Sequence, residues 1–254
     1  MSLDGRLELA RRAAWQAGRL TLHYFQTGVQ PDWKEDETPV TVADRQAEET
    51  LRGLISESFP ADGILGEEFG DQPGTSGYRW ILDPIDGTKS FIQGVPLYGV
   101  LVGVEGPQGM EAGVVYLPGL DEMVWAARGQ GCHWNGRPAR VADTDDLSRA
   151  CLVFTSASSF AAQNRQREWQ ALVEASRIQR GWGDCYGHIL VATGRADACF
   201  DPIMNPWDCA PLLPILEEAG GTFTDWQGEA TVYGRDAFST NGKLYDQIMA
   251  RIAP

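Results

Sequence analysis

Trp80-Ile81-Leu82-Asp83-Pro84-Ile85-Asp86-Gly87-Thr88 is the stretch on which the reading of this chain turns. Residues 78–82, with Arg79 the one charged member, are rich in strand formers, which predicts a strand running straight into Asp83. Pro84 fixes φ and removes a donor, so the backbone bends away from any ladder. Two carboxylates three residues apart, across a tight turn, then point into one space. Gly87 permits close backbone approach. The N–H groups of Gly87, Thr88 and Lys89 lie where a helix would start, a placement that suits a phosphate. A plain strand-to-helix turn with polar caps is the alternative reading of residues 83–88.

Upstream, Leu3, Leu7, Ala10, Ala14, Ala17, Thr21 and Tyr24 recur every three or four residues. That spacing predicts a long helix stopped near Gly28. Residues 31–39 read as a loop. Thr41 and Asp44 resemble a capping box ahead of a second helix, which Phe59-Pro60 ends. Residues 63–65 predict a strand with Glu67 and Glu68 at its edge. Neighbours on a strand face opposite ways, so one of the two glutamates is expected to reach a ligand directly.

Downstream, residues 97–104, 113–117 and 123–127 predict an antiparallel meander, with Asn135-Gly136 as a hairpin turn. The polar connector 143–146 marks a boundary between an N-terminal α+β part, 1–145, and a C-terminal α/β part, 146–254. In the second part, strands are expected over 150–154, 196–200 and 222–225. Helices are expected over 164–176, over 184–193 ended by Gly194, over 207–219 ended by Gly220-Gly221, and over 243–252 capped by Asn241. Helices first, then an antiparallel sheet, then alternating units predict a mixed α+β and α/β fold of layered sheets and helices.

Composition excludes some functions. The chain has 254 residues, with 21 Lys and Arg against 35 Asp and Glu, a net charge of −14. Such a surface repels nucleic-acid phosphates. The longest runs free of Asp, Glu, Lys and Arg, 90–104 and 150–164, fall short of the roughly 20 apolar residues of a membrane span. Residues 1–15 read as a charged helix rather than a signal peptide. Five widely spaced cysteines without a Cys-x-x-Cys predict reduced thiols and a cytoplasmic setting, and three histidines furnish no zinc set. Between Asp32 and Asp71 there are 12 acidic and 3 basic residues. This is either a solvated face or a source of oxygen ligands for hard cations.

Gly66-Glu67-Glu68, then Trp80 to Thr88 as quoted, then Trp207-Asp208 resemble the inositol monophosphatase family of Mg²⁺-dependent phosphomonoesterases. Order and spacing match over most of the chain. The resemblance implies a layered αβαβα sandwich, a homodimer, a small-molecule phosphate monoester as substrate, and two or three Mg²⁺ ions per site, with Mn²⁺ as a substitute. It implies that Glu67, Asp83 and the Ile85 carbonyl hold one metal. Asp83, Asp86 and Asp208 would hold a second, and Glu67 would reach a third, weaker ion. Thr88 would orient the attacking water with Asp44 behind it, and no residue would be phosphorylated. Asp86, Gly87, Thr88 and Asp208 would also meet the substrate. The physics agrees with this scheme. Carboxylates crowded without cations repel and hold protons. Divalent ions relieve that repulsion, bind phosphate oxygens, activate water and stabilise the leaving oxygen.

Three further stretches are similar to the histidinol-phosphate phosphatase branch of that family. They are Thr88-Lys89-Ser90-Phe91-Ile92 with Gly94-Val95-Pro96, then Gly183-Asp184-Cys185-Tyr186-Gly187, then Gly220-Gly221 followed by Thr224-Asp225-Trp226. The implied substrate is L-histidinol phosphate, and the alternative is inositol 1-phosphate or another sugar phosphate. Histidinol phosphate carries an ammonium and an imidazole, so carboxylates should ring its far end. Asp184 and Asp201 are the residues the pattern supplies, although Asp184 also suits a helix N-cap. Three positions depart from the pattern: Asp201, where many relatives carry Glu; Pro211, inside an expected helix; and Trp182, where a smaller residue is common. A catalytically silent protein on this fold is the reading from another class. It is disfavoured because every expected ligand position carries a carboxylate. His188 reads as packed and Lys34 as a surface residue or one near the metals. Cys185 and Cys209 lack a base for nucleophilic catalysis.

Overall fold

The structure, a computed structural model, describes residues 2–34 and 38–252. The first helix, α1 (Leu3–Thr21), is capped by Ser2, whose side chain accepts from the Gly5 N–H. It ends earlier than the spacing predicts. The Thr21 hydroxyl turns back onto the Gly18 carbonyl, and turns carry the chain on to Gly28. The expected loop over 31–39 instead holds a short antiparallel ribbon, β1 (Asp32–Trp33) with β2 (Pro39–Val40). Residues 35–37 of that stretch lie outside the described residues. The helix α2 (Val42–Ser58) starts at the expected capping box of Thr41 and Asp44.

Next come β3 (Gly63–Gly66), β4 (Gly70–Gln72), β5 (Arg79–Asp86), the short α3 (Thr88–Ile92), β6 (Gly99–Gly106), β7 (Gly109–Leu117), β8 (Glu122–Ala127), β9 (Cys132–Trp134) and β10 (Arg137–Ala139). They form one eight-stranded sheet in the order β10-β9-β8-β7-β6-β5-β3-β4. Only the β3–β5 pairing within it is parallel. The Asn135-Gly136 turn is as expected, with φ values of 47° and 75° that match a primed hairpin turn. Side chains alternate between the two faces with period two. Trp80, Leu82, Val100, Val102, Val114 and Tyr116 pack beneath α1 and α2. Ile81, Leu101, Val115 and Leu117 face the opposite side.

The chain continues through β11 (Cys151–Phe154), α4 (Ala157–Ala162), α5 (Gln166–Ala175), β12 (Ile178–Arg180), α6 (Asp184–Ala192), β13 (Ala198–Asp201), α7 (Pro206–Cys209), α8 (Leu212–Glu218), β14 (Thr222–Thr224), β15 (Ala237–Thr240) and α9 (Tyr245–Ile252). Its five-stranded sheet has the order β12-β11-β13-β15-β14. Val153, Cys199 and Ala237 pack toward the first sheet through α6 and α8. Leu152, Phe200 and Phe238 pack outward against α5 and α9. From one side to the other the layers are therefore α1 and α2, the large sheet, α6 to α8, the small sheet, then α5 and α9. That is the αβαβα sandwich.

One expected helix is broken. Residues 207–219 divide into α7 and α8, with Ala210 and Pro211 between them. Pro211 has no N–H to donate, so it cannot continue α7, and it serves as the cap of α8 instead. The break presses onto the large sheet. A side chain at Gly113 of β7 would collide with the Pro211 backbone, and one at Gly103 of β6 would meet Ala210. These two glycines thereby let the junction between α7 and α8 sit close to β6 and β7. No helix among the described residues is long and apolar enough to cross a membrane.

Candidate active site

The centre of the site lies where β5 loses its regular register. The pairing with β6 shifts between Asp83 and Asp86, where Pro84 cannot donate to the ladder. In a regular strand, residues three apart face opposite sides. The shift brings both carboxylates to one side, so they converge through a bulged strand rather than the tight turn expected from the sequence. Asp208, on α7, closes the group. Carboxylate oxygens of Asp83, Asp86 and Asp208 lie within 4.8 Å of one another.

Each member is held by its own contacts. Asp83 is buried, and its Oδ1 accepts from the Ile85 N–H at 3.0 Å. Asp86 Oδ2 accepts from the Cys185 N–H at the start of α6. Asp208 is the third residue of α7 in a capping box, and its Oδ2 accepts from the Asn205 N–H at 2.7 Å. The capping role and membership of the cluster therefore coexist in Asp208. Burial, and then the neighbouring charges, push Asp83 and Asp86 well above the usual carboxylate range. Burial raises Asp208 to about 7.

Glu67 adjoins this group and shares its electrostatics with Asp83. Here strand geometry misleads. β3 ends at Gly66, so Glu67 and Glu68 lie in a turn and do not diverge. Both converge on one cation, Lys34, whose Nζ donates to Glu67 Oε1 at 2.9 Å and to Glu68 Oε1 at 2.8 Å. Burial works against the Lys34 charge, but the two glutamates outweigh it and raise the amine.

Glu48 was not singled out from the sequence, yet it shapes this turn. Its fully buried carboxylate accepts from the Glu68 and Phe69 N–H groups and from Arg52. It lies on the inner face of α2 at helical spacing, where an acid is out of place; that mismatch was the available signal.

Thr88 opens α3. Its hydroxyl donates to the Ile85 carbonyl at 3.0 Å and lies 3.5 Å from Asp44 Oδ1. Asp44 uses its other oxygen to accept from both the Thr41 N–H and the Thr41 hydroxyl. Burial raises Asp44 to about 6. Gly87 has φ of 83°, the left-handed region that favours glycine, and caps α3.

A cleft leads away from the cluster, lined by Asp86, Asp184, Asp201, Ile203, Met204 and Asp208. The N-cap reading of Asp184 is corrected here. Gly183 is the cap, and Asp184 is the first helical residue, with φ of 51°. The Asp184 N–H donates to Thr155 Oγ1 at 2.7 Å, which holds this conformation in place. Burial, then Asp201 and Asp208, raise Asp184 to about 7. Asp201 ends β13, with Oδ2 3.1 Å from His188 Nε2. Cys185 lines the cleft and Cys199 and Cys209 are buried, but burial pushes all three thiols well up, so none is poised as a nucleophile.

Every donor in the cluster is an oxygen, and burial beside like charges holds these carboxyls above the usual carboxylate range. That combination fits a hard divalent cation.

A family model described as the inositol monophosphatase family matches residues 2–253. The histidinol-phosphatase of Chlorobaculum parvum is 46% identical over 248 residues, covering 97% of this chain and 96% of that protein. The histidinol-phosphatase of Mycobacterium tuberculosis is 37% identical over 252 residues, covering 97% of each. Among solved structures, the extragenic suppressor protein suhB from Bartonella henselae superposes with a TM-score of 0.92 at 26% identity, covering 98% of both chains.

Proposed function

The chain belongs to the inositol monophosphatase family and is a phosphoric monoester hydrolase; on that premise we propose that it hydrolyses L-histidinol phosphate to L-histidinol and phosphate, with Mg²⁺ as its metal. The observation that carries the substrate is the cleft. It starts at the Asp83, Asp86 and Asp208 cluster and runs past two further carboxylates, Asp184 and Asp201. A phosphate bound at the cluster end leaves the rest of its ester among acids, which suits a cationic alcohol and has little use for a neutral polyol.

Asp83, Asp86 and Asp208 would hold the metal ions, together with Glu67 and the Ile85 carbonyl. Bound divalent cations supply charge neutralisation at the phosphate and a water nucleophile near neutral pH. Lys34 neutralises Glu67 and Glu68. The Thr88 hydroxyl orients the attacking water. For this it swings from the Ile85 carbonyl to donate to Asp44 Oδ1, leaving a lone pair to accept from the water. With a value of about 6, Asp44 is a carboxylate acceptor at neutral pH. The N–H groups of Gly87 and Thr88 face the phosphate, and Asp184 and Asp201 meet the cationic end of the substrate. Residues 1–145 supply most of the metal ligands and residues 146–254 supply the specificity residues together with Asp208. We assign the chain to the cytoplasm, an assignment its five free cysteines support, and assign it a homodimeric state.

Phosphate release tests this reading. With Mg²⁺, kcat/KM for L-histidinol phosphate should exceed that for inositol 1-phosphate by about tenfold or more, as expected for a charged contact worth about 1.4 kcal/mol or more. EDTA should abolish both activities. A preference for inositol 1-phosphate would move the substrate to the polyol class. No release from either would remove the reading.

A further inference from the structure

His188 has no place in the hydrolysis just described, yet it is one of the most enclosed polar side chains in the protein, with 0% exposure. It projects from α6, and both ring nitrogens are engaged. Nδ1 is 2.8 Å from Ser239 Oγ on β15, and Nε2 is 3.1 Å from Asp201 Oδ2 at the end of β13. Phe223 of β14 packs edge-on against the ring at 5.6 Å between centroids. Asp201 lines the cleft, and its other oxygen, Oδ1, receives no hydrogen bond from any described residue.

Two other roles for this group fail. Ser239, His188 and Asp201 contain the residue types of a nucleophilic triad, but Ser239 is fully buried and does not border the cleft. His188, Cys199 and Asp201 lie close enough to share a metal ion. However, both ring nitrogens are already hydrogen-bonded, and burial pushes the Cys199 thiol well up, against the thiolate a metal requires.

We propose that His188, anchored by Ser239, is a positioning residue for substrate specificity: it fixes the Asp201 carboxylate by Oδ2 so that Oδ1 is presented to the cationic end of a phosphate monoester in the cleft. A carboxylate can only accept, so the proton between the two residues sits on Nε2. One hydrogen bond to Oδ2 restrains the second torsion of Asp201, which is otherwise broad and two-fold. The free oxygen then does not have to be ordered when the substrate binds, which is the cost that preorganisation removes. The inference rests on the proposed cationic substrate and deepens it.

The test compares L-histidinol phosphate with β-glycerophosphate, a neutral-alcohol ester, in the Mg²⁺-loaded enzyme. His188→Leu keeps the bulk and loses the donor, and should raise KM for histidinol phosphate about tenfold. Its kcat, and both constants for β-glycerophosphate, should stay within about twofold. His188→Gln places an amide N–H near the Nε2 position and should restore most of the lost affinity. In an Asp201→Asn background, His188→Leu should add nothing, because the two residues act as one unit. Equal losses on both substrates, failure of glutamine to rescue, or additive effects with Asp201→Asn would each overturn the inference. A wild type that treats the two esters alike overturns the substrate reading and the inference with it. A discriminating wild type matched by an equally discriminating His188→Leu overturns the inference alone. If His188→Leu does not fold, Ser239→Ala should give a smaller KM rise confined to histidinol phosphate, and no such rise would count against the anchor.

Discussion

Replacing Asp83 by Asn should make the metal-free protein more stable while ending its activity. Carboxylate oxygens of Asp83, Asp86 and Asp208 lie within 4.8 Å of one another. At that separation and an effective dielectric constant of roughly 20, two full charges repel by about 3.5 kcal/mol, so an ionised Asp83 meets about 7 kcal/mol from its two partners. A proton on the cluster relieves that repulsion. Relative to the ordinary aspartate value of 3.8, that proton costs about 1.6 kcal/mol at pH 5 and about 5.7 kcal/mol at pH 8. Asn carries no charge, and its Oδ1 can still accept from the Ile85 N–H as Asp83 does. Carboxyls raised in the folded state bind protons that the unfolded chain does not, so the metal-free wild type loses stability as pH rises through the raised values. The variant loses less, and the gap widens with pH. Water entry and side-chain rotation lower these ceilings. A gain of about 2 kcal/mol at pH 8 corresponds to roughly 4–8 °C in Tm for a chain of this size. Thermal unfolding of both proteins in EDTA at pH 5 and pH 8, repeated with Mg²⁺, reads this out. Mg²⁺ should stabilise the wild type and leave the variant nearly unmoved. A variant less stable than wild type in EDTA at pH 8, or a gap that does not grow with pH, would contradict charge repulsion as the cost that Asp83 carries.

Three further outcomes are expected. Thr88→Ala should lower kcat by about 100-fold, as loss of a group that orients a proton-bearing nucleophile does, with KM little changed; steady-state kinetics decides it. Asp62→Asn should cost about 3–5 kcal/mol in urea unfolding at pH 7, because the buried Arg6 loses its carboxylate partner. Burial alone would raise Asp62, but hydrogen bonds from Arg6, Ser76 and Trp80 hold it below its usual value. Its contribution is therefore present above the unfolded value and is lost as pH falls through the folded one. The gap between wild type and variant should shrink below about pH 4. Gly87→Ala forces a side chain into φ of 83° and places its Cβ 3.2 Å from Asp184 Oδ2. We expect a loss of about 1–3 kcal/mol in thermal unfolding, with a raised KM for the phosphate ester.

The layered fold was legible because both periodicities in this chain are clean. Residues such as Leu7, Ala10, Ala14 and Ala17 mark a buried helix face, and the alternation along β5 to β7 separates two cores. Elements made by few residues were not legible. The ribbon β1–β2, the helix α4 and the edge strand β12 bury too little apolar surface to leave a pattern, and β15 lies in a stretch that gave no strand signal. Local spacing pointed to Asp83 and Asp86, and the family resemblance to Asp208, Thr88 and Asp44; the structure gathers the carboxylates of Asp83, Asp86 and Asp208 and sets Thr88 beside Asp44. The sequence misplaced groups whose direction depends on a neighbouring element. Glu67 and Glu68 converge because β3 stops one residue before them, and Lys34 reaches them from another part of the chain. Asp184 lies inside its helix because Thr155, on a different strand end, takes its N–H. His188 acts wholly through tertiary partners, so no spacing rule could assign it, and Glu48 shows in the sequence only as an acid on the inner face of α2.

The central claim is that acids from separate stretches of the chain share divalent ions in one pocket. Crystals soaked in millimolar Mn²⁺, with data collected at the manganese edge, test it most directly. The account predicts an anomalous peak among the carboxylates of Asp83, Asp86 and Asp208 that is absent from Asp83→Asn crystals. Well-ordered wild-type crystals with no peak in that cluster would contradict it.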